Sequence, residues 1–168
     1  MSGAVWTSRL LSDSRRQIDK FHFVGDVFGL ESGDEYLCSA EAIEDTVVAI
    51  YPRHIFESVS PADAVLSGQL VTALGHSLSR AREHMLLLGC KTAIEKIAAF
   101  LLSLADRLKN TVLTRPMTRL DIADHLGLTI ETVSRSFTHL EREGLIETGT
   151  GRRSISLRDM RGLRQLDA

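Results

Sequence analysis

The spacing of apolar residues changes along this chain, and each change predicts a different kind of element. Up to residue 60 the apolar residues fall in short β-favouring runs, Ala4 to Leu11, Gln17 to Val24 and Thr46 to Tyr51. Turn-rich pieces such as Ser12-Asp13-Ser14 and Ser32-Gly33-Asp34 separate them, which predicts strands of an antiparallel sheet. Between Pro61 and Gly89 there is no proline, and Ser67, Val71, Leu74, Leu78, Ala81, Met85 and Leu88 recur at spacings of four and three. That rhythm predicts a long helix with an apolar seam wanting a partner helix. A second helix is expected from about Thr92 to Asn110 on Ile94, Ile97, Leu101, Leu104 and Leu108, with the bend between the two at Gly89 and Cys90.

Beyond Pro116, which marks a junction, the order becomes helix, glycine turn, helix, hairpin. Leu120, Ile122, Ala123 and Leu126 give the first of these helices its stripe over Arg119 to Leu126, and Gly127 can take the positive φ that ends it. Thr129 can cap a second helix, with Glu131 suited to the positive end of its dipole and Val133, Phe137 and Leu140 as its buried stripe. Gly144 stops that helix, and Leu145 to Thr148 and Arg153 to Leu157 read as strands joined across Gly149, Thr150 and Gly151. This is the layout of a winged helix-turn-helix, and it implies DNA reading.

Glu131, Ser134, Arg135 and Thr138 share the face opposite the buried stripe. Guanine offers two acceptors in the major groove and cytosine one donor, so an arginine and a carboxylate one turn apart can read neighbouring base pairs. The alternative for Glu131 and Arg135 is an i,i+4 ion pair on a solvated face, contributing about 0.2–0.5 kcal/mol. Their place near the start of the second helix of a helix-turn-helix favours base readout.

Glu131-Thr132-Val133-Ser134-Arg135, preceded by Asp121-Ile122-Ala123-Asp124-His125-Leu126-Gly127-Leu128, resembles the recognition motif of the CRP/FNR superfamily of bacterial transcription regulators, especially its FNR and FixK branch. The likeness extends from the glycine-containing segment near Gly25 to the C-terminus. It implies that Glu131, Ser134 and Arg135 contact bases of a TTGAT-N4-ATCAA-like inverted repeat. It further implies that Thr118, Arg119, Thr129, Thr132, His139, Arg152 and Arg153 lie near phosphates, positioning the protein without specifying sequence. Two copies of the reading helix must then be held one helical turn, ~34 Å, apart, which turns the seam of Val71, Leu74, Leu78, Ala81, Met85 and Leu88 into the expected homodimer interface.

The resulting fold class is α+β: a partial antiparallel β-roll of the cyclic-nucleotide-binding kind at 1–60, a dimerisation helix at 61–89 and a winged helix-turn-helix domain at 90–168. By comparison with full-length regulators the first quarter to third is expected to be missing. Cyclic-nucleotide control is not expected, because Val24-Gly25-Asp26-Val27-Phe28-Gly29-Leu30 keeps the glycines while Gly33-Asp34-Glu35-Tyr36-Leu37 lacks the arginine that would take the phosphate. Cys38 and Cys90 are too few for the cysteine-ligated cluster of oxygen-sensing FNR proteins, and they form neither a disulfide framework nor a zinc pattern. A FixK-type activator of micro-oxic, anaerobic or nitrogen-fixation genes, needing no cofactor and working with RNA polymerase, fits what remains. The alternatives are a shortened repressor or decoy of full-length regulators, and a haem- or nitric-oxide-responsive regulator.

Composition adds little: 43% hydrophobic and 25% charged residues are ordinary globular usage. The net charge of −2 excludes a generally basic coat, yet from Thr148 onward Arg152, Arg153, Arg158, Arg161 and Arg164 face only Asp159 and Asp167. No apolar run is long enough to span a bilayer and no signal peptide opens the chain, so a reduced, cytoplasmic protein is expected. The six histidines are scattered, without a hydrolase, metalloprotease or phosphate-loop pattern, which argues against an enzyme. His84, six residues before Cys90, is read as a surface histidine rather than a metal or haem ligand.

Overall fold

The computed structural model of the chain describes residues 2–31, 35–52, 64–114, 117–149 and 154–167. Pro61, Pro116, Thr150 to Arg153 and the Ser32-Gly33-Asp34 turn lie outside the described residues. Strands β1 (Val5–Leu10), β2 (Arg16–His22) and β3 (Ser39–Ala42) form an antiparallel sheet in the order β2-β1-β3. Ser14 takes a left-handed φ of 64° at the β1–β2 corner, where its N–H donates to the Leu11 carbonyl. The period of two then places Ile18 in the core on β2, with Phe21 and His22 buried after the pairing register shifts at Thr7/Ser8.

The β-favouring run at Thr46 to Tyr51 does not make the third strand. The free edge of β1 pairs instead with the small, polar run Ser39–Ala42, and Val47 makes only an isolated bridge to Ser2. β propensity reports a fit to a half-buried pleated surface, and that surface is absent here: Val47, Ile50 and Tyr51 are 61%, 87% and 63% exposed.

Helix α1 (Ala64–Cys90) runs through Gly89 and Cys90, so the bend falls at Lys91 and Thr92 instead. The break comes there because Thr92 starts the next helix, its backbone N–H donating to Glu95 Oε2 at 2.8 Å. Helix α2 (Ala93–Leu108) buries Ile97, Leu101 and Leu104, with Ile94 and Leu108 packed partly against the same cluster. Then follow β4 (Val112–Thr114), α3 (Arg119–Leu126), α4 (Ile130–Arg142), β5 (Ile146–Thr148), β6 (Ser154–Leu157) and α5 (Met160–Asp167). Strands β4, β6 and β5 form a second antiparallel sheet in that order, and α5 packs along α2.

One buried cluster joins the first sheet to the helices. Ile18 and Phe21 of β2 share it with Ile97, Phe100 and Leu101 of α2 and with Ile122, Leu126, Val133, Phe137 and Leu140 of α3 and α4. Leu120, expected in the stripe of α3, is 49% exposed, whereas Ile122, Ala123 and Leu126 of the same stripe are buried. At the centre of the junction His125 sits edge-on to Phe21 and Phe100, with ring centroids 5.0 and 5.7 Å away, and stacks on His84 at 4.3 Å. His84 is therefore a packed residue, not a surface one: half-buried, with its own pKa lowered chiefly by burial.

Burial pushes the His125 pKa down to about 3, with the neighbouring His84 acting in the same sense. The ring is thus neutral, and since its Nδ1 lies 3.1 Å from the Ile18 carbonyl, which can only accept, the proton resides on Nδ1. His22, buried against Thr7 Oγ1 at 3.1 Å, is lowered to about 4, again chiefly by burial. Both folded values lie below the unfolded value of about 6.5, so the unfolded chain binds more protons and stability falls as pH drops through the window between 6.5 and about 4. Urea unfolding at about pH 7.5 and about pH 5 should show a loss of roughly 2 kcal/mol for each of these two histidines, and His125→Gln should remove about half of it. Equal stability at the two pH values would contradict the buried, neutral assignment.

Candidate nucleic-acid interface

The reading helix is fixed at both ends and along its back. Gly127, at φ 63°, ends α3, and its N–H donates to the Ala123 carbonyl. Two residues later Thr129 caps α4, accepting from the Thr132 N–H at 3.2 Å. Only the tight, left-handed turn between them lets α4 leave α3 at once, and a side chain at Gly127 would be strained there whatever the space. Val133, Phe137 and Leu140 are fully buried, which determines the rotation of α4 about its own axis. At the far end Glu141 Oε1 accepts from the Thr148 backbone N–H at 3.1 Å and from its hydroxyl, tying the helix to strand β5 of the wing. The wing closes with the Gly149 N–H donating to the Ser154 carbonyl at 2.9 Å. Arg152 and Arg153, expected near phosphates, lie outside the described residues.

That rotation turns Glu131, Ser134, Arg135, Thr138 and Arg142 outward together. They line two shallow, adjoining depressions, one between Ile130, Glu131, Ser134 and Arg135, the other between Ser134, Arg135, Thr138, His139 and Arg142. Glu131 and Arg135 are both exposed, and among the described residues neither side chain is hydrogen-bonded or ion-paired, to the other or to anything else. The i,i+4 ion pair that their spacing allows is thus not formed. What the face presents is an unpaired guanidinium, an unpaired carboxylate and a hydroxyl on one side of a rigid helix, a donor and acceptor set suited to base edges rather than to holding the fold.

The residues expected near phosphates fall into different settings. Thr129 and Thr132 stand together at the start of α4, their hydroxyls 3.0 Å apart. Thr118, exposed, caps α3: its hydroxyl donates to Asp121 Oδ2 at 2.7 Å and accepts from the Asp121 N–H at 3.2 Å. His139 Nδ1 lies 3.1 Å from the Arg142 guanidinium. A ring nitrogen facing an arginine accepts, so His139 orients Arg142 beside the second depression. Arg119 is placed otherwise: its guanidinium lies 4.6 Å from the centre of the Phe137 ring and donates to the Ser134 carbonyl at 3.4 Å, bracing α4.

Sequence reasoning had not singled out Arg142, although seven residues after Arg135 it falls on the same helical face. Among the described residues no group of histidine, cysteine or acidic side chains is arranged to hold a metal ion, and Cys38 and Cys90 are unpaired. No helix of the described residues is long and apolar enough to cross a membrane.

Residues 95–166 match the Crp-like helix-turn-helix domain. Over its whole length the chain is similar to the nitrogen fixation regulation protein FixK of Azorhizobium caulinodans, at 44% identity, with 100% of this chain and 70% of that protein covered. It is 42% identical to the FixK protein of Rhizobium meliloti, covering 98% of this chain and 75% of the relative. Among solved structures, FixK2 from Bradyrhizobium japonicum matches with a TM-score of 0.92 and 46% identity, covering 99% of this chain and 84% of that one.

The position of Arg119 makes a prediction that needs no DNA. Arg119→Ala should lower the stability of the unliganded chain by about 1 kcal/mol, through loss of the ring stack and the carbonyl bond. A thermal or urea unfolding curve unchanged by the substitution would leave Arg119 with a phosphate-contacting role alone.

Proposed function

The chain belongs to the CRP/FNR family of transcription regulators, in its FixK-like branch, and from this premise we propose that it binds a TTGAT-N4-ATCAA-like inverted repeat as a homodimer. In this reading Arg135 takes the two acceptors of a guanine, Glu131 accepts from the amino group of a cytosine, and Ser134 adds a hydroxyl contact. The observation that carries it is the unpaired, outward state of Glu131 and Arg135 on a helix otherwise fixed by its cap, its buried stripe and the wing. Thr118, Arg119, Thr129, Thr132, His139, Arg152 and Arg153 supply backbone contacts, with Arg142 as a further cation beside His139.

Dimerisation is assigned to α1. Val71, Leu74, Leu78 and Met85 are 69%, 44%, 55% and 70% exposed along one line of the helix, and Ala81 between them is exposed as well. A continuous apolar stripe left open to water favours association, at roughly 25 cal/mol for each Å² covered. Leu88 ends the line half-buried, beside the Gly127 turn, so the seam runs down to the DNA-reading unit. A second copy along α1 places two reading helices about one turn of DNA apart, as the two-fold repeat requires. The bound dimer acts in the cytoplasm and, with RNA polymerase, activates genes of micro-oxic or anaerobic metabolism, including those of nitrogen fixation.

Fluorescence anisotropy with the purified chain should give an affinity for the palindrome at least about a hundredfold above that for a scrambled duplex at the same salt. Equal affinities would refute specific reading. Leu74→Glu combined with Leu78→Glu should yield a monomer in sedimentation or sizing, since charge would otherwise be buried in the seam. A dimer that persists in this variant would move the interface off α1.

A further inference from the structure

One side chain of the first sheet reaches directly into the DNA-reading unit. Arg16, at the start of β2, donates through Nε to Asp124 Oδ2 at 2.9 Å and through a terminal nitrogen to Asp121 Oδ1 at 2.6 Å, with Asp124 also 2.8 Å from that nitrogen. One face of the guanidinium is covered by the Trp6 ring, with the central carbon 4.5 Å from the ring centre. The site is sheltered: the Arg16, Asp124 and Asp121 side chains are 26%, 20% and 6% exposed. A flat fork between two carboxylates under an aromatic ring has a single orientation, which a lysine cannot reproduce.

Asp121 links this clasp to the reading helix. Its Oδ1 holds Arg16 while its Oδ2 accepts from the Thr118 N–H and hydroxyl, both at 2.7 Å, so the same carboxylate caps α3. Arg119, which follows Thr118, reaches the Ser134 carbonyl on α4. Two further bonds cross the same seam beside the clasp, Gln17 to the His125 carbonyl at 3.3 Å and His125 Nδ1 to the Ile18 carbonyl at 3.1 Å. The row of contacts fixes both the position and the angle of α3 on β2.

We propose that Arg16 is a positioning residue for DNA recognition: clasped by Asp121 and Asp124, it holds each helix-turn-helix at the orientation that lets both units of a dimer engage their half-sites at once. This rests on the dimeric, palindrome-reading function proposed above. Arg16 touches no base in that arrangement, so its contribution lies in the second binding event. When one unit is docked, the other meets its half-site at an effective concentration set by how rigidly it is held. A slackened seam lowers that concentration without changing what a single unit reads.

The test compares three duplexes with the full-length chain: the whole palindrome, a single half-site, and palindromes whose spacer is lengthened by one or two pairs. Arg16→Ala should weaken binding to the palindrome by about tenfold, within the range of ordinary coupling between sites. It should leave the half-site affinity within about twofold and flatten the preference for the four-pair spacer. Asp124→Asn, which spares the cap of α3, should act in the same direction, and Arg16→Asp combined with Asp124→Arg should restore the palindrome affinity lost in Arg16→Asp. Unchanged palindrome affinity and spacer preference would overturn the proposal. So would an equal loss on palindrome and half-site, which would make the clasp a stabiliser of the fold and nothing more. Failure of the DNA-reading assignment itself is told apart, because there the unsubstituted chain would already fail to prefer the palindrome to a scrambled duplex.

Discussion

The seam between β2 and α3 is the contact on which the arrangement of this molecule depends. On one side it is apolar, with Ile18 and Phe21 continuing the cluster that fills the helix-turn-helix; on the other it is ionic, with Arg16 between Asp121 and Asp124. Neither half would suffice alone. Apolar burial is strong but non-directional, so it leaves the helix free to slide on the sheet. The ion pairs are directional, yet burial works against charge: it would lower the Arg16 pKa, and the bonds from Asp124 and Asp121 outweigh it and raise that pKa. Breaking one partner would strand a charge, and that penalty holds the register.

From that seam the rest of the interface follows by local chemistry. Asp121 serves the sheet and the cap of α3 together, Gly127 makes the sharp corner, and Thr129 starts α4 with Phe137 already committed to the core. The inner face of α4 is buried through Val133, Phe137 and Leu140, and its ends are tied by Thr129 and Glu141. On the outer face the Arg135 and Glu131 side chains are unpaired, and held on so constrained a helix they are available to a partner whose edges offer acceptors and donors.

Much of this was legible in the chain because the signals are local. The bounds of α3 and the start of α4 follow from Gly127, Thr129 and the three-and-four spacing of Val133, Phe137 and Leu140, all within thirty residues of one another. Features decided by distant partners were not. Residues 39–42 become a strand because β1 has a free edge beside them, although their composition is poor for a strand, while the better-patterned run at 46–51 finds no face to cover it. His84 reads as an isolated surface histidine until α1 lies against α3 and stacks it on His125. Arg16 and Asp121 lie more than a hundred positions apart, a spacing that no periodicity reports.

The account stands on Arg135 reading a guanine, and a thermodynamic cycle between residue and base tests this most directly. Affinities of the native chain and of Arg135→Ala are measured on the palindrome and on the same palindrome with its guanine pair exchanged for adenine and thymine. A coupling of about 1–3 kcal/mol is expected, with the variant nearly indifferent to the exchange. Additive losses, with the variant as sensitive to the exchanged base as the native chain, would contradict the assignment.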